Sequence, residues 1–252
     1  MNPIRQVLKL AYSVLCATGT LARVKWGTGP ALLILTYHRV LPVDHKARRI
    51  EQPGMIITPE SLNQHLALLR NLGGTFVRLS DWLQKAEAGK PLPRLSVAVT
   101  FDDGWQDNYQ YAYPILRKHQ VPATIFLVSR RINTDWQFWP ERVLNLLVNH
   151  ADRLDEPALA WLRAHCPDRR HAMNLIEADS VIHRLKSLDD QTIETHLEET
   201  EQALPGLTHP ASDRSLLNDR EILEMAESGL MEFGAHTQHH YRLNLLKDPS
   251  HL

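Results

Sequence analysis

The chain has 252 residues, enough to bury one large α/β core or to divide into two smaller ones. Its 28 Lys and Arg stand against 29 Asp and Glu, a net charge of −1, so neither a basic excess nor a basic stripe points to nucleic acid. Cys16 and Cys166 lie far apart in sequence, which excludes a disulfide framework and a paired-cysteine zinc site.

In chain order, residues 1–26 carry an apolar set that includes Leu8, Leu10, Val14, Leu15 and Leu21, flanked by Arg5, Lys9, Arg23 and Lys25. A secretory signal needs an unbroken apolar run of about 7–15 residues before a small-residue cleavage site. Lys9 breaks the run early, and no run approaches the roughly 20 apolar residues of a membrane span. Residues 1–30 are therefore expected to form an amphipathic helix packed on the domain, the alternative being a signal or membrane-surface anchor. A cytoplasmic or inner-membrane-associated location is expected on that basis, with a periplasmic one as the alternative. Residues 31–252 make up the main domain.

Residues 31–36 (A-L-L-I-L-T) predict a buried strand that runs into Tyr37-His38-Arg39, which places His38 at a strand end. A polar loop spans residues 41–58. Thr58-Pro59-Glu60 then opens a helix with an N-cap and a proline at its first position. Leu62, Leu66 and Leu69 give that helix its apolar face, and Gly73-Gly74 ends it. A short strand over 76–79 and a helix over 81–88 follow.

Residues 97–104 read V-A-V-T-F-D-D-G. The β-branched and aromatic Val97, Val99 and Phe101, with Ala98 and Thr100 between them, predict a strand buried on both faces, as in a parallel sheet. It ends at Asp102, Asp103 and Gly104. Ligands of open α/β sheets and barrels bind past the carboxyl ends of strands. The aspartate pair is therefore either a reactive site or a turn and helix cap. A helix to about residue 120 and a strand over 124–128 complete a right-handed β-α-β unit. Across 139–217 leucines and isoleucines recur at mostly helical spacing, which predicts a helical insertion without a strand. A helix over 219–228 and a strand over 230–235 resume the α/β pattern and finish at His236.

The fragment His236-Thr237-Gln238-His239-His240 places histidines at i and i+4, which share one face if residues 236–240 turn helically. Such a pair is either two exposed helix histidines or two ligands of one metal ion. Both polar clusters end strands, so in one parallel sheet they converge. One Asp and two His make a three-ligand set with a place left open, the catalytic arrangement rather than the structural one. Asp102, Asp103 and Asp107 together also suggest a magnesium–diphosphate site, but that chemistry places its carboxylates on a helix, and residues 97–101 read as a strand.

Thr100-Phe101-Asp102-Asp103-Gly104 and His236-Thr237-Gln238-His239-His240, with Leu35-Thr36-Tyr37-His38-Arg39-Val40 and Pro122-Ala123-Thr124-Ile125-Phe126-Leu127, resemble the polysaccharide deacetylase family, whose shared unit is the NodB homology domain. The resemblance covers about residues 32–246 apart from the insertion. It implies an α/β fold, a distorted (β/α) barrel, and hydrolysis of N-acetyl groups on amino sugars of a glycan. It implies further that Asp103, His236 and His240 hold a divalent metal, usually zinc, and that Asp102 is the general base. Thr237 is expected to orient its loop through its hydroxyl. His38 is expected beside the ligands or the substrate rather than as the acid.

The family's later motifs, among them a leucine-x-histidine that supplies the acid, follow the second histidine motif in order, whereas the sequence ends at Leu252. The expectation is a barrel incomplete at its C-terminus, in a fragment or a degenerate member of low activity. The alternative function is a non-catalytic, metal-binding protein of this ancestry that binds a glycan or a partner.

Overall fold

The structure, a computed structural model, describes residues 29–166, 173–205, 207 and 215–246. The helix expected over residues 1–30 lies outside them, except for its last two positions. No helix among the described residues is long and apolar enough to cross a membrane.

The centre of the fold is β5 (Leu95–Phe101), every residue of which is buried. On one side it pairs along its whole length with β1 (Ala31–Tyr37). Its other side is shared. The start of β5 pairs with the short β4 (Thr75–Phe76) and its end with β6 (Ala123–Leu127), which in turn pairs with β7 (Met231–Ala235). All these pairings are parallel, and among the described residues the sheet is open, with β1 and β7 at its edges. A small second ladder joins β2 (Arg39–Val40) to β3 (Ile56–Ile57), the latter inside the stretch 41–58 expected to be loop; Val40 is fully buried, which repays the pairing.

Helices cover this sheet through leucines at helical spacing. In α1 (Pro59–Asn71), Thr58 Oγ1 accepts the N–H of Ser61 at 3.1 Å and caps the first turn, while Leu62 and Leu66 are buried. α2 spans Leu79–Glu87, beginning where a strand was expected to end. The helix expected after Gly104 is divided. A π-turn over Asn108–Ala112 precedes α3 (Tyr113–His119), because Pro114 has no N–H to give the carbonyl four residues back. α8 (Asp219–Glu227), with a capping box between Asn218 and Glu221, leads into β7.

Between β6 and α8 lies a separate helical body: α4 (Trp139–Asn149), α5 (Ala160–Arg163), α6 (Leu175–Leu185) and α7 (Asp190–Ala203). It has its own core, in which Leu144, Leu147, Leu159, Leu162, Ile182 and Leu197 are fully buried. Buried Arg142 ties α4 to Glu194 and Glu201 of α7. Beyond these helices Leu216 makes an isolated antiparallel bridge to Trp105.

Register brings the strand ends together: Tyr37 lies opposite Phe101, Phe101 opposite Ile125, and Ile125 opposite Phe233. His38, Asp102 and His236 each leave the sheet at this one end. Gly104 makes the turn possible, with φ of 79° and an added Cβ only 2.7 Å from Leu127 Cδ2. Gly104→Ala is expected to lower stability by about 1–2 kcal/mol from the backbone alone, with the Leu127 contact adding to it. Urea unfolding of the two chains, compared at equal m-value, checks this.

Candidate metal centre

The two motifs are held in backbone conformations that side chains rarely adopt. Five described non-glycine residues have positive φ, and three of them, Asp103 (74°), Thr237 (63°) and His240 (67°), sit in these motifs. Strain of this kind persists where surrounding structure holds it, and it gathers at functional sites. The stretch 236–240 is therefore not the helical turn that would place i and i+4 on one face. It is a loop with two left-handed residues, closed by Thr237 Oγ1 accepting the His240 N–H at 2.8 Å. The histidines still meet, with ring centroids 5.2 Å apart.

Asp103, His236 and His240 each offer one ligand atom, all within 4.8 Å of one another. Asp103 is 3% exposed, and its Oδ1 lies 3.1 Å from His240 Nε2 and 3.5 Å from His236 Nε2. Ligand bonds of 2.0–2.1 Å in a tetrahedron set ligand atoms about 3.3 Å apart, so both separations suit a zinc-sized ion. Oδ1 is also buried with no aligned hydrogen-bond donor. An anionic oxygen left in that state is costly unless something positive meets it. The donor set thus fits a divalent cation.

Local electrostatics agree. Burial works against the charge on Asp103, but His240, His38 and the Trp105 N–H outweigh it and hold its carboxyl below the usual carboxylate range. Burial lowers His236, in the direction of the neutral imidazole that a metal needs. Burial opposes protonation of His240 too, yet the facing Asp103 outweighs it and raises its affinity for a proton, with which an ion would compete. Asp102 lies outside the triad. Its N–H is pinned to the Tyr37 carbonyl at 2.9 Å, and Oδ2 is 3.8 Å from His38 Nε2. Burial pushes its carboxyl up, against the pull of His236 and His38.

Several supporting residues carried no signal as site residues. Trp105 Nε1 donates to Asp103 Oδ2 at 3.0 Å, and Phe138 packs edge-on against both Trp105 and His240. Asp107, considered above as a magnesium ligand, instead accepts from Arg39 Nε at 2.9 Å and the Val40 N–H at 2.8 Å. The guanidinium of Arg242 grips the helical body: its Nε donates to Asp190 Oδ1 at 2.9 Å, and its remaining nitrogens reach the Lys186 and Leu188 carbonyls. A cavity of about 560 Å³ is lined by Arg39, Trp105 and Glu141 among others but by none of the three ligands. Its volume does not mark where the chemistry sits.

The family model described as polysaccharide deacetylase matches residues 89–217, which is 129 of the 252 residues. The chain is 28% identical over 213 residues to a poly-beta-1,6-N-acetyl-D-glucosamine N-deacetylase of Staphylococcus epidermidis, covering 79% of this chain and 70% of that protein. An Escherichia coli protein of the same name is 34% identical over 84 residues, 33% of this chain and 12% of its own. Among solved structures, IcaB from Ammonifex degensii is 21% identical with a TM-score of 0.45, over 83% of this chain and 54% of that one. The chain thus spans about half the length of that structure.

Proposed function

The chain belongs to the polysaccharide deacetylase family, and from that premise we propose that it removes N-acetyl groups from a glycan of β-1,6-linked N-acetylglucosamine, using one zinc ion held by Asp103, His236 and His240. The observation that carries this reading is the meeting of a buried carboxylate oxygen with two imidazole nitrogens, 3.1 and 3.5 Å away, just past the ends of β5 and β7. When bound, such an ion supplies Lewis acidity toward an amide carbonyl and a nucleophile from water at neutral pH. Asp102 is free of the ligand set and takes the proton as water attacks. Its raised affinity for a proton, from burial, suits a base that must hold that proton through the step. His38 lies within ion-pair reach of Asp102 and, after His236, works against the effect of burial on that carboxyl.

The test incubates the zinc-loaded chain with a β-1,6-linked N-acetylglucosamine oligomer and follows release of free amine and acetate. No release above a chelated control, with zinc still bound, would favour the non-catalytic metal-binding alternative. His240→Ala is expected to abolish stoichiometric zinc binding, read by metal analysis after gel filtration; equal zinc in both chains would remove His240 from the centre.

A further inference from the structure

We propose that Trp105 is a positioning residue that fixes Asp103 as a one-oxygen ligand and so keeps a coordination place open; the inference rests on the metal centre proposed above. The two oxygens of Asp103 face different partners. Oδ1 looks toward the two imidazoles, whereas Oδ2 accepts the Trp105 indole N–H at 3.0 Å. A carboxylate unrestrained at its second oxygen can swing to bind an ion through both, filling the place that water or substrate needs. An N–H held on Oδ2 opposes that swing.

Trp105 is itself buried and packed by several partners. It is 2% exposed, and Arg39 lays its guanidinium over the indole ring 3.9 Å from the centroid. Arg39 in turn cannot drift, because Asp107 and Glu51 each hold it at 2.9 Å. Phe138 closes in from another direction, 5.2 Å from the Trp105 ring, and also touches His240, with centroids 4.7 Å apart. The neighbouring backbone is bracketed as well: Gln106 N–H donates to Ser215 and Leu217 N–H to Gly104. A cation on the face of an indole also withdraws electron density from it, which makes the N–H a better donor. Arg39 therefore both locates the donor and strengthens it.

Trp105→Phe keeps a ring for Arg39 and Phe138 and removes the N–H together with part of the indole. With the full chain, zinc affinity measured by competition with a chromophoric chelator should fall about 10–100-fold, the usual effect of losing a partner behind a ligand. The visible spectrum of the cobalt-substituted variant should lose intensity as Asp103 gains a second bond and the coordination number rises. A residue that only fills space would lower the melting temperature of the metal-free chain and leave the cobalt spectrum alone. Should the phenylalanine chain fail to fold, the benzothienyl analogue of tryptophan, introduced at position 105, exchanges the N–H for sulfur at constant shape. Zinc affinity within about twofold of wild type together with an unchanged cobalt spectrum would overturn the proposal. If the wild-type chain binds no zinc, the metal centre falls and takes this inference with it. If Trp105→Phe alters cobalt coordination while wild type releases no amine, only the deacetylase reading fails.

Discussion

Asp102→Asn is expected to lower amine release from an N-acetylated β-1,6-glucosamine oligomer by about 10²–10⁴-fold, the usual worth of a positioned base, and to leave zinc binding intact. The two parts of this result depend on different atoms. Asp102 belongs to no ligand set, whereas the adjacent Asp103 faces both histidines. The isosteric amide keeps the backbone hydrogen bond to Tyr37 and removes only the ability to take a proton. Steady-state assay and metal analysis on the same preparation separate the outcomes. Full activity would show that another group is the base, and lost zinc would show that Asp102 had been assigned to the wrong role.

Arg39→Met should be the most destabilising of the substitutions considered, at about 3–5 kcal/mol, because removing one member of a buried ionic cluster strands the others. Arg39 is 6% exposed, Asp107 4% and Glu51 1%, so water cannot take over the lost contacts. Burial already pushes both carboxyls above their ordinary values of 3.8 and 4.5, with Arg39 opposing it; without Arg39 they rise further. A carboxyl whose folded pKa is raised gives stability that is present below its unfolded pKa and lost as pH climbs through the folded one. The deficit of Arg39→Met relative to wild type should therefore be greatest near neutral pH and shrink as pH falls toward about 4. Urea unfolding at the two ends of that range checks it. A deficit independent of pH would mean that lost packing on Trp105, rather than stranded charge, dominates.

Much of the α/β frame was legible from local pattern. The run 97–101 has no charged residue and only one polar one, the β-branched Thr100, so a strand enclosed on both sides was its simplest outcome, and β5 is fully buried. The separate helical body was equally visible as leucines at helical spacing among charges. What local pattern missed were features settled by one residue or by distant partners. Pro114 divides the helix after Gly104, and the loop at 236–240 brings its histidines together through left-handed residues instead of a helical turn. At the site, strand ends and residue types pointed to an aspartate of the 102–103 pair with His236 and His240, and the family resemblance singled out Asp103. Trp105 stood only two positions beyond Asp103, yet nothing in its type marked it as a donor to that carboxylate. Arg242 and Asp190 are separated by 52 positions, and no single sequence records such a pairing.

That last pairing links metal affinity to the mechanics of folding. The segment bearing both histidines is moored at one end to the sheet, where the His236 N–H meets the Leu127 carbonyl at 2.8 Å, and at the other to the start of α7, where Asp190 accepts the Arg242 N–H at 2.6 Å. A metal ion held by that segment would tie Asp103, past the end of β5, to a loop that also reaches the helical body through Arg242. At a free ion concentration of 100 times Kd, mass action adds about 2.7 kcal/mol to any opening that breaks the centre. If parting the helices from the sheet is such an opening, chelation should first quicken hydrogen exchange along the seam between them, well before the core of either body loosens.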